Sequence, residues 1–205
     1  MNPSPDHRTQ NWHVRKPAAR SRRGIVASQH QLAAEVGAGM LAAGGNAVDA
    51  AVAAGFALAA IDPHPGAPNS LAPAKRPLTN MCPVIAHRDG KPWFAIGASG
   101  GRKIFPAVLQ IASFLIDHGM SLEDAFHQPR LDASGGEHVG VDPRLPREVK
   151  SALSGKFTVH PAELAVYPAN FACPSAVLGD LTTGERFGIS DVMSPWSGAA
   201  AEKEP

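Results

Sequence analysis

The chain has 205 residues, enough for one domain with a real apolar core. Its residues are 44% hydrophobic and 18% charged, with a formal net charge of +1, which excludes a disordered polyelectrolyte and implies no nucleic-acid partner. No apolar run reaches the length of a membrane span, and residues 1–24 lack the apolar centre of a secretory leader.

A cytoplasmic chain with no membrane contact is therefore expected, and its two cysteines, Cys82 and Cys173, are expected to be reduced thiols. Their separation fits neither a zinc nor a redox spacing. The nine histidines show no ligand pattern either, so neither a metal nor a cofactor is expected.

In chain order, residues 1–23 are polar and basic, with arginines from Arg15 to Arg23, and read as an irregular lead-in. Residues 24–198 read as a single α+β domain, and 199–205 as a tail. Gly24 to Ser28 is a short strand. Gln31 to Ala43 is a helix with Leu32, Val36 and Met40 stacked four apart, closed by Gly44-Gly45. Asn46 caps the next helix with Asp49 three residues on; Val48, Val52 and Phe56 form its large stripe, and small residues cover its other faces.

Asp62-Pro63-His64-Pro65 stops that helix, and a proline-rich loop runs from Ala67 to Pro77. Val84 to His87 and Pro92 to Ile96 flank Arg88-Asp89-Gly90-Lys91, a hairpin signal. Pro106 to Asp117 is a helix with a narrow polar edge of Gln110, Ser113 and Asp117. Ser121 caps a short one that Pro129 ends. Beyond it the pattern predicts a strand at Val139–Val141 and a helix over 146–153. Strands follow at Phe157–Val159 and Leu164–Tyr167, then a hairpin of 177–181 with 186–189 around Thr182-Thr183-Gly184.

The chemistry centres on Gly97-Ala98-Ser99-Gly100-Gly101-Arg102, a glycine turn between a strand and a helix. Unpaired N–H groups in such a turn suit a phosphate, a carboxylate or an oxyanion. The turn lacks both the P-loop spacing and G-x-G-x-x-G. It does satisfy G-x-S-x-G, which would make Ser99 a hydrolase nucleophile served by Asp132 or Asp142 and by His138 or His160.

A third reading comes from longer motifs in order. Gly24-Ile25-Val26-Ala27-Ser28 is followed by Gly44-Gly45-Asn46-Ala47-Val48-Asp49. Later come Pro68-Asn69-Ser70-Leu71 and Pro77-Leu78-Thr79-Asn80-Met81, then Gly97 to Gly101, Gly119-Met120-Ser121-Leu122 and Pro129-Arg130. Together they resemble the gamma-glutamyltranspeptidase family (gamma-glutamyltransferase, or glutathione hydrolase). The likeness covers about 12–198, with 24–66 similar to the family's N-terminal part and 67–198 to its C-terminal part.

This resemblance implies an N-terminal-nucleophile hydrolase fold, an αββα sandwich. It also implies γ-glutamyl transfer or hydrolysis, through a threonine acyl-enzyme, on glutathione-like compounds. Gly100 and Gly101 match the pair whose N–H groups form the oxyanion hole, and Thr79 and Asn80 match the pair that binds the substrate α-carboxylate. The family's long central segment, with the threonine nucleophile, has no counterpart between Gly66 and Ala67.

The resemblance thus implies a partial, internally deleted fold with the anion-binding half of the site and no nucleophile. One alternative is a pseudoenzyme that binds γ-glutamyl or carboxylate ligands; the other is the hydrolase using Ser99. Oligomeric state is left open. The excised segment should leave open strand edges and exposed apolar faces, with the Val48/Val52/Phe56 stripe uncovered.

Overall fold

The computed structural model describes residues 16–61, 80–134, 138–166 and 169–202, without the side chains of 55, 56 and 58–61. The expectations for 62–78, Thr79, Tyr167 and the Phe56 side chain lie outside the described residues.

The main sheet begins inside the basic lead-in. β1 (Ala19–Ser21) pairs antiparallel with β9 (Arg186–Ser190). The Lys16 ammonium donates to the carbonyls of Asp191, Ser194 and Ser197 at 2.7–3.0 Å. Residues 16–23 therefore belong to the fold rather than to an irregular arm, because their backbone and the lysine find partners far along the chain. β9 pairs with β8 (Cys173–Gly179), β8 with β4 (Lys91–Ser99), and β4 with β3 (Val84–Arg88). The result is a five-stranded antiparallel sheet in the order β1-β9-β8-β4-β3. In the β3–β4 turn Asp89 and Gly90 both have positive φ, 52° and 72°, the turn geometry that Asp-Gly favours between twisted strands.

Each face of this sheet is covered differently. Phe94, Ile96, Ala176 and Ile189 pack against α3 (Ile104–Ile116) and α4 (Leu122–His127), burying Val108, Ile111, Leu115 and Phe126. The opposite face meets a two-stranded antiparallel sheet of β2 (Ile25–Ser28) and β10 (Gly198–Ala201). There Gly188 allows close approach: a Cβ on it would fall 2.8 Å from Ile25 Cγ1. The Ser190 hydroxyl, hydrogen bonded to the Ser175 hydroxyl, donates to the Ser28 carbonyl at 2.5 Å and ties the two sheets together. β10 extends past residue 198, so the expected tail begins as a strand. It is held because its backbone completes the pairing of β2.

α1 (Gln31–Ala42) lies over β2 and β10, and α2 (Ala47–Ile61) packs beside it against β2. The order is α, β, β, α, the layering of an N-terminal-nucleophile hydrolase sandwich, with inner sheets of five and two strands among the described residues. The N-cap of α2 is as expected: Asn46 Oδ1 accepts from the Val48 and Asp49 N–H groups, and Asp49 Oδ2 accepts from Asn46 N–H.

The apolar stripes on α1 and α2 do not face the core. Leu32, Val36 and Met40 are exposed, as are Val48 and Val52. The buried faces are instead Ala33, Ala34, Gly37 and Ala38 on α1, and Ala50 and Ala54 on α2. Backbones this close admit only small residues, and a Cβ on Gly37 would meet Ala50 O and Val26 Cγ1 at 2.9 Å. On α3, likewise, Leu109 and Ile116 are exposed rather than buried.

A third sheet joins β5 (Leu131–Asp132) antiparallel to β6 (His138–Val141), and β6 parallel to β7 (Thr158–Pro161) through α5 (Arg147–Ser154). Gln110, on the polar edge of α3, fastens β5: its side chain donates to Leu131 O at 2.7 Å and accepts from Leu131 N at 2.9 Å. The strand expected at Leu164–Tyr167 is irregular over 164–166. The segment pairs with no described strand, since β7 ends at Pro161 and the chain turns away.

Candidate functional site

At the end of β4 the chain turns through two glycines into a helix. Ser99 closes the strand, Gly100 takes φ 135° and ψ 21°, and Gly101 takes φ 60° as it opens a 3-10 turn (Gly101–Lys103) leading into α3. Two consecutive positive φ values are open to glycine at little cost. A Cβ on Gly100 would also fall 2.8 Å from Ala172 Cα and Cβ. Ala172 itself has φ 58° and is buried, a residue that nothing in the local sequence singles out.

The first N–H groups of a helix have no acceptor within it. Gly101 and its neighbours therefore present donors at the positive end of the α3 dipole, flanked by Arg102 and Lys103, an arrangement suited to an anion.

Asn80 lies four residues before β3. The β3–β4 register pairs Val84 with Ile96, so Asn80 enters β3 from the end of the sheet at which β4 passes into the glycine turn. Asn80 is exposed there. Its predicted companion, Thr79, lies outside the described residues.

On β4 the side chains of Phe94, Ile96 and Ala98 face α3, so alternation puts Ser99 on the inner face, between the two sheets. Cys173 is its cross-strand partner, and Ser175 and Ser190 continue the same row. None of these groups is an activated nucleophile. Burial, then the nearby Asp191 carboxylate, pushes the Cys173 thiol up to about 11. Ser175 and Ser190 are committed to each other and to Ser28.

Ser99 sits in regular strand, and it is Gly100 that takes the positive φ. Both neighbours of β4 run antiparallel, whereas a nucleophile elbow stands on a parallel sheet. The partners proposed for Ser99 are engaged elsewhere. Asp142 is held by Arg144 at 2.6–3.1 Å, and Asp132 accepts from Ser134 N. The His138 and His160 rings lie 4.3 Å apart, against each other. Thr182 and Thr183 occupy the β8–β9 turn, at the far end of β8 from Cys173 and about 25 Å of strand length from the glycines.

Behind the turn lies a buried charge cluster. Arg130 is 1% exposed, with its Nη2 3.4 Å from Asp191 Oδ1, and its Nε and Nη1 find no hydrogen-bond partner among the described residues. Burial raises the Asp191 pKa against the pull of Arg130 and Lys16, and burial lowers that of Lys16. Only the Pro129-Arg130 motif hinted at this cluster from sequence. Among the described residues no group of three or more His, Cys, Asp or Glu side chains could hold a metal ion, and no helix is long and apolar enough to cross a membrane.

The model of the family described as gamma-glutamyltranspeptidase matches residues 60–164, half of the chain. The chain belongs to the gamma-glutamyltranspeptidase family. An acylase proenzyme, ACY 1, from a Pseudomonas species (strain V22) is 44% identical over 92 residues, covering 45% of this chain and 16% of the acylase. The glutathione hydrolase proenzyme of Bacillus subtilis (strain 168) is 35% identical over 106 residues, 50% of this chain and 18% of that protein. The matched region thus spans less than a fifth of these relatives' length.

In structure the chain is similar to a mutant gamma-glutamyltranspeptidase from Helicobacter pylori. The TM-score is 0.50 at 25% identity, over 62% of this chain and 68% of that one. Membership of the family agrees with the αββα layering and with a fold that is only partly built.

Proposed function

We propose that this chain binds γ-glutamyl compounds such as glutathione through the acyl oxygen and the carboxylates, and turns them over slowly or not at all. The observation that carries the reading is the pair of left-handed glycines, Gly100 and Gly101, set between a strand end and a helix N-terminus in a member of this family. In this reading their N–H groups hold the acyl oxygen and the charge that develops on it. Loss of one such donor costs an acyl-transfer enzyme about 10² to 10³ in rate. Thr79 and Asn80 donate to the substrate α-carboxylate from the neighbouring segment.

The case for weak turnover rests on the missing attacking group. An oxyanion hole without its nucleophile retains only residual catalysis. Around the turn, Cys173 stays protonated at neutral pH, and among the described residues no base is hydrogen bonded to Ser99. Two measurements on the purified chain test the reading. Calorimetry with glutamate and with glutathione should give saturable heat at millimolar ligand, and a glutamate-release assay should give a rate far below that of a full-length glutathione hydrolase. Absence of heat removes the binding claim. Release at the rate of the full-length enzyme removes the claim of weak turnover.

A further inference from the structure

The third sheet places two histidines side by side. β6 and β7 pair in parallel, with His138 opposite Thr158 and Gly140 opposite His160. Side chains two residues apart share a face of a strand, so His138, Thr158 and His160 stand on one side of this sheet. Val139, Val141 and Val159 take the other side, where Val141 is buried. Both histidines are exposed. Gly140, the register partner of His160, has no side chain to stand beside that ring.

The two ring centres are 4.3 Å apart, and the ring planes are inclined at 52°. The lone pair of an imidazole nitrogen lies in the plane of its ring, so inclined rings can aim two lone pairs at one point where stacked rings cannot. A metal ion bonded to such a nitrogen at about 2.0–2.1 Å sits about 3.2 Å from the ring centre. Two rings at a right angle about the ion then have centres about 4.5 Å apart, and at a tetrahedral angle about 5.2 Å. The observed separation matches the right angle, which square-planar and tetragonal ions adopt.

Asp132 lies on the same face, across Gly140, and its carboxylate accepts from Ser134 N. It lends the face negative charge but does not complete a three-residue cluster with the histidines. The other described histidines are placed differently. His30 caps α1, His127 is hydrogen bonded through both ring nitrogens, His118 lies against Phe114, and His87 stands on β3 opposite Pro92.

We propose that His138 and His160 together chelate one late first-row divalent transition ion, Cu²⁺ ahead of Ni²⁺, with water in its remaining positions. Imidazole suits both ions, and the affinity of a given nitrogen site rises from Ni²⁺ to Cu²⁺. The two residues are well separated in sequence, so the chelate exists only while β6 and β7 are paired, and the ion binds the folded chain. The site is separate from the glycine turn and needs no ligand bound there.

Calorimetry of the full chain with CuCl₂ and with NiCl₂ tests the proposal. The tightest site should take one ion per chain, Cu²⁺ more tightly than Ni²⁺. Electron paramagnetic resonance at one equivalent of Cu²⁺ should show coupling to two nitrogens. His138→Ala and His160→Ala should each weaken binding by about tenfold or more, while His87→Ala should leave it unchanged. Ni²⁺ should also raise the urea midpoint of the parent chain and not that of His160→Ala, because an ion that prefers the folded state stabilises it. Circular dichroism verifies that each variant is folded, and either folded variant of the pair suffices. No saturable binding, unchanged affinity in the folded variants, or an equal loss in His87→Ala would overturn the proposal. So would one ion per two chains, since the ion would then be shared between copies.

Discussion

Gly100 and Ala172 meet across the ends of β4 and β8 so closely that a methyl group on Gly100 would lie 2.8 Å from both Ala172 Cα and Cβ. Both residues have positive φ, 135° and 58°. A glycine in the first position is thus demanded twice, once by its backbone conformation and once by its neighbour. Gly100→Ala should cost about 2–4 kcal/mol, combining backbone strain with overpacking. Gly101→Ala meets open space at φ 60° and should cost only about 1 kcal/mol. Urea denaturation of the two variants checks the order, and equal midpoints would refute it.

The Arg130–Asp191 pair makes a second, asymmetric prediction. Among the described residues Arg130, which is buried, makes one ion-pair contact and has two nitrogens without a hydrogen-bond partner. Asp191 retains the Lys16 charge nearby and accepts from Ser194 N. Arg130→Met should therefore change stability by no more than about 1 kcal/mol in either direction. Asp191→Ala should cost about 3–5 kcal/mol, because it strands a guanidinium in the core. Thermal melts of both variants decide the matter.

Cys173 should be a poor nucleophile. Burial holds its pKa near 11, against an ordinary 9.0. At pH 8 its thiolate fraction, and with it the rate of alkylation by iodoacetamide, should be about a hundredfold below that of a free thiol. Mass spectrometry after timed labelling reads this directly. The folded-state pKa is the raised one, so folding holds the proton more tightly. This contribution to stability is complete below pH 9 and is lost as pH rises from 9 to 11, as the unfolded thiol ionises first.

The contact between α1 and α2 gives a fourth prediction. Gly37→Leu should destabilise the chain by about 3 kcal/mol or more, since its first carbon already meets Ala50 O and Val26 Cγ1 at 2.9 Å. Val36→Ser, one residue earlier and exposed, should change the unfolding free energy measured in urea by less than about 0.5 kcal/mol.

Local chemistry was legible wherever it acts over a few residues. The Asn46 cap, the Asp89-Gly90 turn, the Ser121 cap and the strand–turn–helix passage through Gly100 were all readable, because each depends on neighbours in sequence. Exposure of Val48 and Val52 agrees with the expectation of an uncovered stripe on α2, but the pattern did not say which face of α1 is buried. Leu32, Val36 and Met40 have a regular spacing of four, yet the buried face of α1 is the alanine–glycine face. Spacing marks the two faces of a helix without saying which partner each will meet.

The sequence by itself determined the composition of each layer, the helix caps, the hairpin and the conformational freedom of the glycine turn, since those are settled by bond rotation and short-range hydrogen bonding. Only the tertiary structure decided that Lys16 closes on residues 191–197, that Ala172 is forced against Gly100, and that β10 completes the pairing of β2. Each of these depends on segments more than seventy residues apart coming into contact. No local propensity records where a distant strand will end.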